Sequence, residues 1–309
     1  MSYAYIGDIT LQTVSKVDLS TFTVVGTSIS VASQIQYMAI DTNYSFLYAA
    51  SSNSSLAKID LSTFTLSSTL TLGTRPTCVA IDTTSTYAYV ADDNGNSLIK
   101  VDLNTFSVSS TLTGLSNPSF VAIDTTSTYA YVTNLGNHEL YQIDLSTFTA
   151  INSVSVGLQP VCVVVDTNSQ YAYVSNSSGN SVSKVDLSTF TVVGTFSVSS
   201  PASMTIDGTS SYAYIPGSTS DLTKLDLSTF TSPSTLTIGN DPYQLAIDSS
   251  SSFAYLGNSG TGSIDKIDLS TFTETSSLSI GTSPYLVVIN PIPPAPRPIT
   301  TPNPIVLLL

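Results

Sequence analysis

The residues best suited to chemistry in this sequence are a few carboxylates and its single histidine. Asp92 and Asp93 stand together in one polar segment, and His138 with Glu139 stands in the corresponding segment of the next sequence repeat. Carboxylate oxygens and an imidazole nitrogen are ligands that divalent metal ions accept. Asp92, Asp93, His138 and Glu139 are therefore the candidate metal ligands, although their spacing matches no established motif and two solvated polar loops explain the same residues.

The composition leaves little material for catalysis. Only 9% of the 309 residues are charged, against about 25% in ordinary soluble domains. The 21 acidic and 8 basic residues give a net charge of −13, which argues against nucleic-acid binding because a phosphate backbone requires clustered Lys and Arg. No glycine-rich phosphate loop, Ser/His/Asp set or pair of catalytic carboxylates stands out. We therefore expect no enzymatic activity and no cofactor.

A sequence repeat supplies the elements that must position these residues. A Tyr-Ala-Tyr-like triplet and a short apolar run ending in Asp or Asn recur through the chain. Within residues 76–114, four short alternating segments separated by Gly, Asn, Asp, Ser or Thr predict four β-strands. Four strands in a period of 42 residues are typical of one blade of a β-propeller. The string Asp-Leu-(Ser/Asn)-Thr-Phe occurs seven times, at intervals of 42 residues with one of 40, and ends at Phe22, Phe64, Phe106, Phe148, Phe190, Phe230 and Phe272.

The two ends of the repeat region predict how the ring closes. Residues 2–30 supply only the second, third and fourth strands of a blade, and residues 284–290 supply a lone first strand. Joining these segments in one sheet completes a seventh blade and removes an open edge. The sequence therefore predicts an all-β fold, a seven-bladed β-propeller with four antiparallel strands per blade, closed by one C-terminal strand that joins three N-terminal strands. We assign residues 1–290 to the propeller and residues 291–309 to a proline-rich tail.

One repeat contains the sequence Tyr131-Val132-Thr133-Asn134, and the unit around it resembles the YVTN-type β-propeller repeats found in archaeal surface-layer proteins. The resemblance covers residues 2–290, although most copies depart from the literal tetrapeptide, as Tyr89-Val90-Ala91-Asp92 does. It implies a structural protein displayed on a surface. Lactonase-type enzymes share the seven-bladed architecture, and a fold by itself carries no function.

Residues present in every repeat are interpreted as parts of the blade itself. Each Asp of the Asp-Leu-(Ser/Asn)-Thr string can accept hydrogen bonds from N–H groups two or three residues later and so hold a turn. A second set of Asp residues ends the first strands, where they cap turns or, alternatively, ring one mouth of the channel and hold a cation. A lysine precedes the turn Asp in six repeats and is replaced once by Gln142, which predicts an ion pair with the lysine stem lying on aromatic rings. The tyrosines predict packing between blades.

The connections between strands divide into two faces. The turns after the first and third strands of each blade are nearly invariant, and we call their side of the propeller the turn face. The loops after the second strands and the links after the fourth are irregular, and we call their side the loop face. Binding residues concentrate on irregular loops held by a rigid scaffold. The predicted partner-binding residues, all on the loop face, are Asp8, Arg75, Asp92, Asp93, His138, Glu139, Asp221 and Asp241.

The two cysteines predict buried free thiols. Cys78 and Cys162 occupy the same position two repeats apart, and so lie on non-adjacent blades. At that separation their Cα atoms are expected beyond about 7 Å, too far apart for a disulfide.

The tail breaks the repeat pattern. Seven prolines lie between Pro291 and Pro304, which favours an extended conformation. The predicted anchor to another chain is the apolar end of the tail, Ile305, Val306, Leu307, Leu308 and Leu309. No signal peptide is visible after Met1, and no stretch approaches the roughly 20 apolar residues that span a bilayer.

These features favour a non-enzymatic structural and interaction protein whose partners are other protein chains of a larger assembly. Low charge with abundant Ser, Thr and Tyr suits an extracellular surface, either of a cell or of a virion. Two alternatives stay open. A lactonase-type enzyme needs clustered His, Arg, Glu or a metal at the channel mouth, and a glycan-binding or cell-binding module would use exposed Tyr, Asn and Asp.

Overall fold

The protein forms a closed ring of antiparallel sheets. The computed structural model describes residues 2–31, 33–217 and 220–290. In these residues seven sheets follow one another in chain order as the blades of a β-propeller. The predicted fold class and blade count are confirmed.

The strand bounds show four strands per blade, with the outer strand of blade 1 split in two. Blade 1 contains β29 and β1–β4, and blades 2 to 7 contain β5–β8, β9–β12, β13–β16, β17–β20, β21–β24 and β25–β28. The strands are β1 (Tyr3–Asp8), β2 (Thr13–Asp18), β3 (Thr23–Val24), β4 (Ile29–Ser30), β5 (Ile35–Ile40), β6 (Phe46–Ser51), β7 (Ser55–Asp60), β8 (Thr65–Thr71), β9 (Pro76–Ile81), β10 (Tyr87–Asp92), β11 (Ser97–Asp102), β12 (Ser107–Thr113), β13 (Pro118–Ile123), β14 (Tyr129–Asn134), β15 (Glu139–Asp144), β16 (Thr149–Ser155), β17 (Pro160–Val165), β18 (Tyr171–Asn176), β19 (Ser181–Asp186), β20 (Thr191–Ser197), β21 (Thr205–Ile206), β22 (Tyr212–Pro216), β23 (Asp221–Asp226), β24 (Thr231–Thr237), β25 (Pro242–Ile247), β26 (Phe253–Asn258), β27 (Ser263–Asp268), β28 (Thr273–Ser279) and β29 (Pro284–Asn290).

Blade 1 closes the ring as the sequence predicts. The C-terminal strand β29 pairs antiparallel with β1, with Ile6 opposite Val287, and β1 pairs in turn with β2. The first strands of neighbouring blades contact one another around the central channel. Closure therefore removes the open edge that an unclosed ring would leave.

The second strand of each blade is buried on both of its faces because it lies between two neighbouring blades. In β10, Ala88 and Val90 pack into a cluster shared with blade 2, while Tyr89 and Ala91 pack into a cluster shared with blade 4. Strand residues alternate between the two sides of a sheet, so four consecutive apolar residues serve two interfaces. Burial of each large apolar side chain stabilises the fold by about 1.5–3 kcal/mol.

A repeated aromatic contact joins each blade to the next. The second tyrosine of each Tyr-Ala-Tyr-like triplet packs against the repeat Phe of the following blade, as Tyr89 does against Phe148 with 6.0 Å between ring centroids. The same contact closes the ring between Tyr255 of blade 7 and Phe22 of blade 1. The prediction that the tyrosines pack between blades is confirmed.

The six repeat lysines lie over aromatic rings rather than against carboxylates. Lys100 Nζ stands 4.1 Å from the centroid of Tyr87 and 5.8 Å from that of Phe148 on the next blade. Within the described ranges the one ion pair joins Arg75 and Asp93. The predicted lysine–aspartate ion pair is therefore wrong, because cation–π contact with rings of two blades takes the ammonium instead.

The turn-face aspartates hold the turns as predicted. Asp102 Oδ1 accepts hydrogen bonds from the backbone N–H groups of Asn104 and Thr105, both at 2.9 Å. Asp82, at the end of a first strand, accepts from the N–H groups of Thr86 and Tyr87. Among the described residues no cluster of three or more His, Cys, Asp or Glu is placed to hold a metal ion, so the alternative of a cation ring at the channel mouth is not supported.

Both cysteines are buried free thiols, as predicted. Cys78 Sγ lies 3.7 Å from the carbonyl oxygen of Val121, and Cys162 Sγ lies 3.8 Å from that of Met204. Each thiol thus donates weakly to the next blade. Burial raises the pKa of Cys162 to about 12 and raises that of Cys78 further, so neither is a thiolate at neutral pH.

The tail and its predicted anchor, Ile305 to Leu309, lie outside the described residues. In the part of the chain that the structure describes, no helix has the length and apolar character to cross a membrane.

Candidate binding face

The mouth of the central channel on the loop face is a cavity of about 220 Å³ that combines polar and aromatic side chains. The starts of the first strands supply its walls, and the loops of blades 3 and 4 supply its rim. Its lining includes Gln36, Tyr37, Arg75, Asp93, Phe120 and Tyr243.

Arg75 and Asp93 form an ion pair on the rim of this mouth. Arg75 Nη1 donates to Asp93 Oδ2 at 2.9 Å, and the side chains are 48% and 9% exposed respectively. The other carboxylate oxygen of Asp93, Oδ1, is buried and has no hydrogen-bond partner among the described residues. Desolvation raises the pKa of Asp93, although Arg75 opposes the shift. The half-exposed Arg75 guanidinium is therefore the part of the pair that an incoming group can reach.

Asp8 and Asp92 belong to the scaffold, and the expectation that they meet a partner is wrong. They are 4% and 1% exposed. Asp8 accepts hydrogen bonds from the N–H groups of Thr10, Leu11, Thr282 and Ser283. A buried carboxylate with four such donors has no free acceptor position for a ligand.

Asp92 has the same role in blade 3. Its oxygens accept from the N–H groups of Thr74 and Arg75 at 2.8 and 2.6 Å. The link between blades passes so close to this carboxylate that Gly73 has no room for a Cβ. Asn134 fills the equivalent position in blade 4 and accepts from Ser116 N–H. Aligning the last residue of each second strand would therefore have identified this structural role from the sequence.

The candidate metal ligands do not come together. Asp92 is fully used by backbone donors, and Asp93 is paired with Arg75. His138 Nδ1 accepts from Gln159 N–H at 3.3 Å, and Glu139 accepts from Asn137 Nδ2 at 2.7 Å. The described residues contain no group of three His, Cys, Asp or Glu placed around one point. The metal hypothesis for these four residues is therefore wrong.

His138 has a backbone role that its residue type did not predict. Its φ is +60°, and Asn96 and Asn180 adopt the same left-handed conformation at the corresponding positions. Asn tolerates this conformation better than most residues. His138 is thus a turn residue whose half-buried ring lies on the loop face.

The two remaining predicted residues are not among those that line the channel mouth. Asp241 is exposed and Asp221 is half-buried, on blades 7 and 6 respectively. Asp221 Oδ1 accepts a long hydrogen bond of 3.4 Å from Thr237 Oγ1. The predicted acidic residues are spread round the loop face and do not form one cluster.

Several loop-face residues that stand out in the structure were missed by the sequence reasoning. Tyr243 and Tyr285 stack with 3.6 Å between their centroids beside the channel mouth. Leu11 and Leu158 are 50% and 54% exposed on the loop of blade 1 and the link into blade 5. Tyr243 and Tyr285 follow a proline at the start of a first strand, and this shared position was the available signal.

Two aromatic rings narrow the channel below its loop-face mouth. Tyr37 of blade 2 and Phe120 of blade 4 meet edge to face with 4.9 Å between centroids. Cys78 occupies the equivalent position on the intervening blade, and its small side chain leaves room for the two rings to meet. Both rings line the mouth, so a ligand there would contact them.

Comparisons with known proteins establish the fold. Neither a protein-family model nor a curated protein sequence matches the chain. A functionally unknown protein from Desulfotomaculum acetoxidans has 12% identity and a TM-score of 0.82, covering 94% of this chain and 99% of that one. A proposed 6-phosphogluconolactonase from Bacteroides fragilis has 12% identity and a TM-score of 0.80, with coverage of 94% and 98%. Kuenenia stuttgartiensis hydrazine synthase has 14% identity and a TM-score of 0.75, with coverage of 82% and 88%. Such likeness shows a shared β-propeller fold alone.

Proposed function

We propose that this protein is a non-catalytic structural and interaction protein with YVTN-type repeats. In this proposal the rigid propeller is displayed on a cell-surface or virion assembly and binds another protein chain through its loop face. The Arg75–Asp93 pair is the observation that carries it. Asp93 Oδ2 accepts from Arg75 Nη1 at 2.9 Å and so holds the half-exposed guanidinium in place, and this guanidinium can bind a carboxylate of a partner chain.

The two faces differ in what they leave for a partner. The turn-face carboxylates are occupied by their own turns, as Asp102 is. The loop face carries the Arg75–Asp93 pair together with the exposed Leu11 and Leu158. Protein interfaces combine apolar contact with a few polar anchors, which favours the loop face as the binding side.

The test compares cross-linking from matched positions of one blade. Asn94 and Asn104 are both exposed, and they lie at opposite ends of the third strand β11. We would introduce Asn94→Cys and Asn104→Cys in separate proteins, label each exposed thiol with a photoactivatable group and incorporate it into the native assembly. The native cysteines are buried, so labelling is selective. We expect position 94 to cross-link one defined partner chain, and position 104 not to cross-link that same chain. Equal cross-linking of that chain from both positions would contradict its binding through the loop face.

The proposed anchor is tested separately by truncation after Asn290. This variant keeps the closing strand β29 and removes residues 291–309. We expect the truncated protein to fold, as judged by its circular dichroism, and to be lost from the assembly seen by electron microscopy. Retention in the assembly would show that the tail is dispensable.

A glycan-binding module is the second candidate, and the stacked pair Tyr243–Tyr285 favours it. Aromatic rings beside Arg75 and Asp93 resemble the stacking and hydrogen-bonding groups that bind sugar rings. Saturation-transfer NMR against a panel of neutral oligosaccharides tests this candidate. Binding that is lost in Tyr243→Ala and kept in Tyr129→Ala would support it. Binding to no glycan would exclude it.

A lactonase-type activity has less support. The likeness to a proposed 6-phosphogluconolactonase concerns the fold alone. Acid–base or metal-assisted hydrolysis needs converging titratable groups, and the channel mouth offers only Arg75 and Asp93 among its charged lining residues. A lactone-hydrolysis assay with the purified protein checks this directly.

A further inference from the structure

In six blades the ammonium group of a lysine lies in the same cage of aromatic rings. Each cage lies between two blades, toward the turn face. In each, a lysine Nζ stands 4.0–4.2 Å from the centroid of the first aromatic residue of the second strand. In four of these cages two further rings surround Nζ at 5.4–5.8 Å, and one of them is the repeat Phe of the next blade. Cages of this kind bind ammonium groups through the negative faces of the rings.

In two of the cages a backbone carbonyl of the next blade accepts a hydrogen bond from the lysine. Lys58 Nζ donates to the carbonyl oxygen of Leu103 at 3.4 Å, and Lys184 Nζ donates to that of Leu227 at 3.2 Å. Both leucines are the residues that follow the turn Asp. The repeated arrangement therefore pairs aromatic faces with one hydrogen-bond acceptor.

Blade 4 retains the walls of the cage and lacks its cation. Tyr129, Tyr131 and Phe190 occupy the positions of the aromatic residues, and Leu187 occupies that of the leucine whose carbonyl accepts the hydrogen bond. Tyr131 and Phe190 stack with 6.4 Å between centroids. Gln142 stands where the lysine is found in the other blades.

A second substitution accompanies Gln142, whose side chain also lies within hydrogen-bonding reach of the Tyr131 hydroxyl. Gln142 lies opposite Asn152 on the outer strand, and Asn152 Nδ2 donates to Gln142 Oε1 at 2.8 Å. In blade 3 the corresponding pair is Lys100 opposite Ser110. In the other blades the outer-strand residue facing the lysine is Ser in four cases and Gly in one. Blade 4 therefore differs from them at both positions of this pair.

The groove between blades 4 and 5 is open to a ligand. It has a volume of about 420 Å³ and is lined by Tyr129, Tyr131, Gln142 and Leu187, with Asp124 and Asp186 beside them. Among its described lining residues none is cationic. The equivalent groove between blades 1 and 2 is of similar size, about 490 Å³, and contains Lys16. The two grooves therefore have similar volumes, and they differ in that a lysine lies only in the groove between blades 1 and 2.

We propose that the groove between blades 4 and 5 binds a primary alkylammonium group supplied from outside the chain, namely a lysine side chain of a partner protein. The rings of Tyr129 and Tyr131 face the ammonium, the Leu187 carbonyl accepts its hydrogen bond, and Asp124 and Asp186 provide a negative surround. This site lies on the turn face, so it does not depend on the loop-face function proposed above.

The first experiment titrates the protein with Nα-acetyl-lysine methylamide and follows binding by saturation-transfer NMR. Nα-acetyl-glutamine methylamide serves as the neutral control ligand. We expect saturable binding of the lysine derivative at one site in the millimolar range, and none of the glutamine derivative. Equal binding of both, or of neither, overturns the proposal.

Matched double variants then test whether the cage is responsible. Gln142→Lys with Asn152→Ser rebuilds the arrangement of the other blades, and we expect it to weaken binding at least about tenfold because the chain's own ammonium takes the site. Lys100→Gln with Ser110→Asn copies blade 4 into blade 3, and we expect the stoichiometry to rise from one site to two. Thermal melts confirm folding, and the same change at Lys184 with Gly194→Asn is the substitute if the blade 3 variant does not fold. Unchanged binding in the first variant, or an unchanged stoichiometry in the second, overturns the assignment.

The source of the ammonium is tested with a free diamine. Cadaverine carries the same primary ammonium without the amide groups of a peptide. We expect its affinity to lie within about tenfold of that of the lysine derivative, since the cage contacts only the ammonium and its neighbouring methylenes. Much tighter binding of cadaverine would overturn the assignment to a protein lysine and identify a free diamine as the ligand.

Discussion

The turn face and the loop face use the same residue type, aspartate, in opposite ways. On the turn face Asp102 is exposed to water, and hydrogen bonds from the N–H groups of its turn lower its pKa. On the loop face Asp93 is buried, and desolvation raises its pKa. The Asp102 carboxylate stabilises the fold when it is charged, whereas a charge on Asp93 destabilises the fold. An acid that recurs in every blade is therefore scaffold, and an acid that costs stability is a better candidate for binding.

Asp8 and Asp92 correct the simple form of this rule. Neither belongs to a repeated Asp set, yet both bind backbone N–H groups of the link into their own blade. The position recurs in every blade, although its residue is Asp in two blades, Asn in three, Ser in one and Gly in one. Variation in a loop therefore marks a free surface only after equivalent positions have been compared across all blades.

The largest effect that we expect is the loss of stability in acid, because acid protonates the aspartates of all seven Asp-Leu-(Ser/Asn)-Thr turns together. The pKa of the aspartate in each Asp-Leu-(Ser/Asn)-Thr turn is held below its ordinary value of 3.8, mainly by the hydroxyl or N–H groups of the following Ser, Asn and Thr residues. A lowered pKa in the fold gives stability that is complete above the ordinary value and is lost as the pH falls through the lowered one. We expect the Tm to stay nearly constant from about pH 7 to pH 5 and to fall steeply below about pH 4.

A single-blade variant sharpens the acid prediction. Asp102→Asn should lower the Tm at neutral pH and reduce the size of the fall in acid, because one of the titrating turns has been removed. Asp93 acts with the opposite sign, since its raised pKa makes its protonated form favourable to folding. A Tm that rises below about pH 4 would show that such buried acids, and not the turns, control acid stability.

The next effect concerns the carboxylate that closes the ring. Asp8→Ala leaves four N–H groups without their acceptor and should cost about 3 kcal/mol of unfolding free energy, measured by urea denaturation. Asp8→Asn should cost less, because Asn134 serves at the same position of blade 4. The control is Asp221→Ala on the same face, which should change the free energy of unfolding by less than about 0.5 kcal/mol. Equal costs for Asp8→Ala and Asp221→Ala would contradict the structural role of Asp8.

A smaller effect is expected at the aromatic contact between blades 3 and 4. Phe148 is held at a φ of +54° while its ring packs on Tyr89. Phe148→Ala loses the ring and keeps the unfavourable backbone, so it should cost about 2 kcal/mol. Phe148→Gly loses the same ring and relieves the backbone, so it should be less destabilising by about 1 kcal/mol. If Phe148→Gly is less stable than Phe148→Ala, the positive φ costs no free energy at this turn.

The smallest effect is electrostatic and belongs to the channel mouth. Arg75→Ala removes the one cation that opposes the upward shift of the Asp93 pKa, so that pKa should rise further, as a carboxyl NMR titration would show. Arg75→Lys should restore part of the difference because it keeps the charge. Overall stability should change by less than about 1 kcal/mol, since Arg75 is half-exposed. A pKa that does not move would separate Asp93 from Arg75 and weaken the proposed binding pair.

Much of the fold was predictable because each blade repeats the same strand-forming segments and turn residues. The repeat predicts strands at residues 76–82, 87–91, 97–103 and 106–113, and β9 to β12 agree with them to within about a residue at each end. The candidate site was less predictable. Burial of Asp93 and the approach of Tyr243 to Tyr285 depend on how separate blades meet, and no local pattern records this.

The sequence by itself determined the number of blades, their strands, their turns and the closure of the ring. A period of 42 residues with strand-forming segments admits few other arrangements. Tertiary structure decided which charges are free. It placed six lysines on aromatic rings instead of on carboxylates, five of them on rings of two blades, and it buried Asp8 and Asp92 beneath the links. It also brought Tyr37 and Phe120 together from blades that are not neighbours. The reason is physical: turns and strand pairs form between residues close in sequence, whereas burial and desolvation depend on the closed ring as a whole.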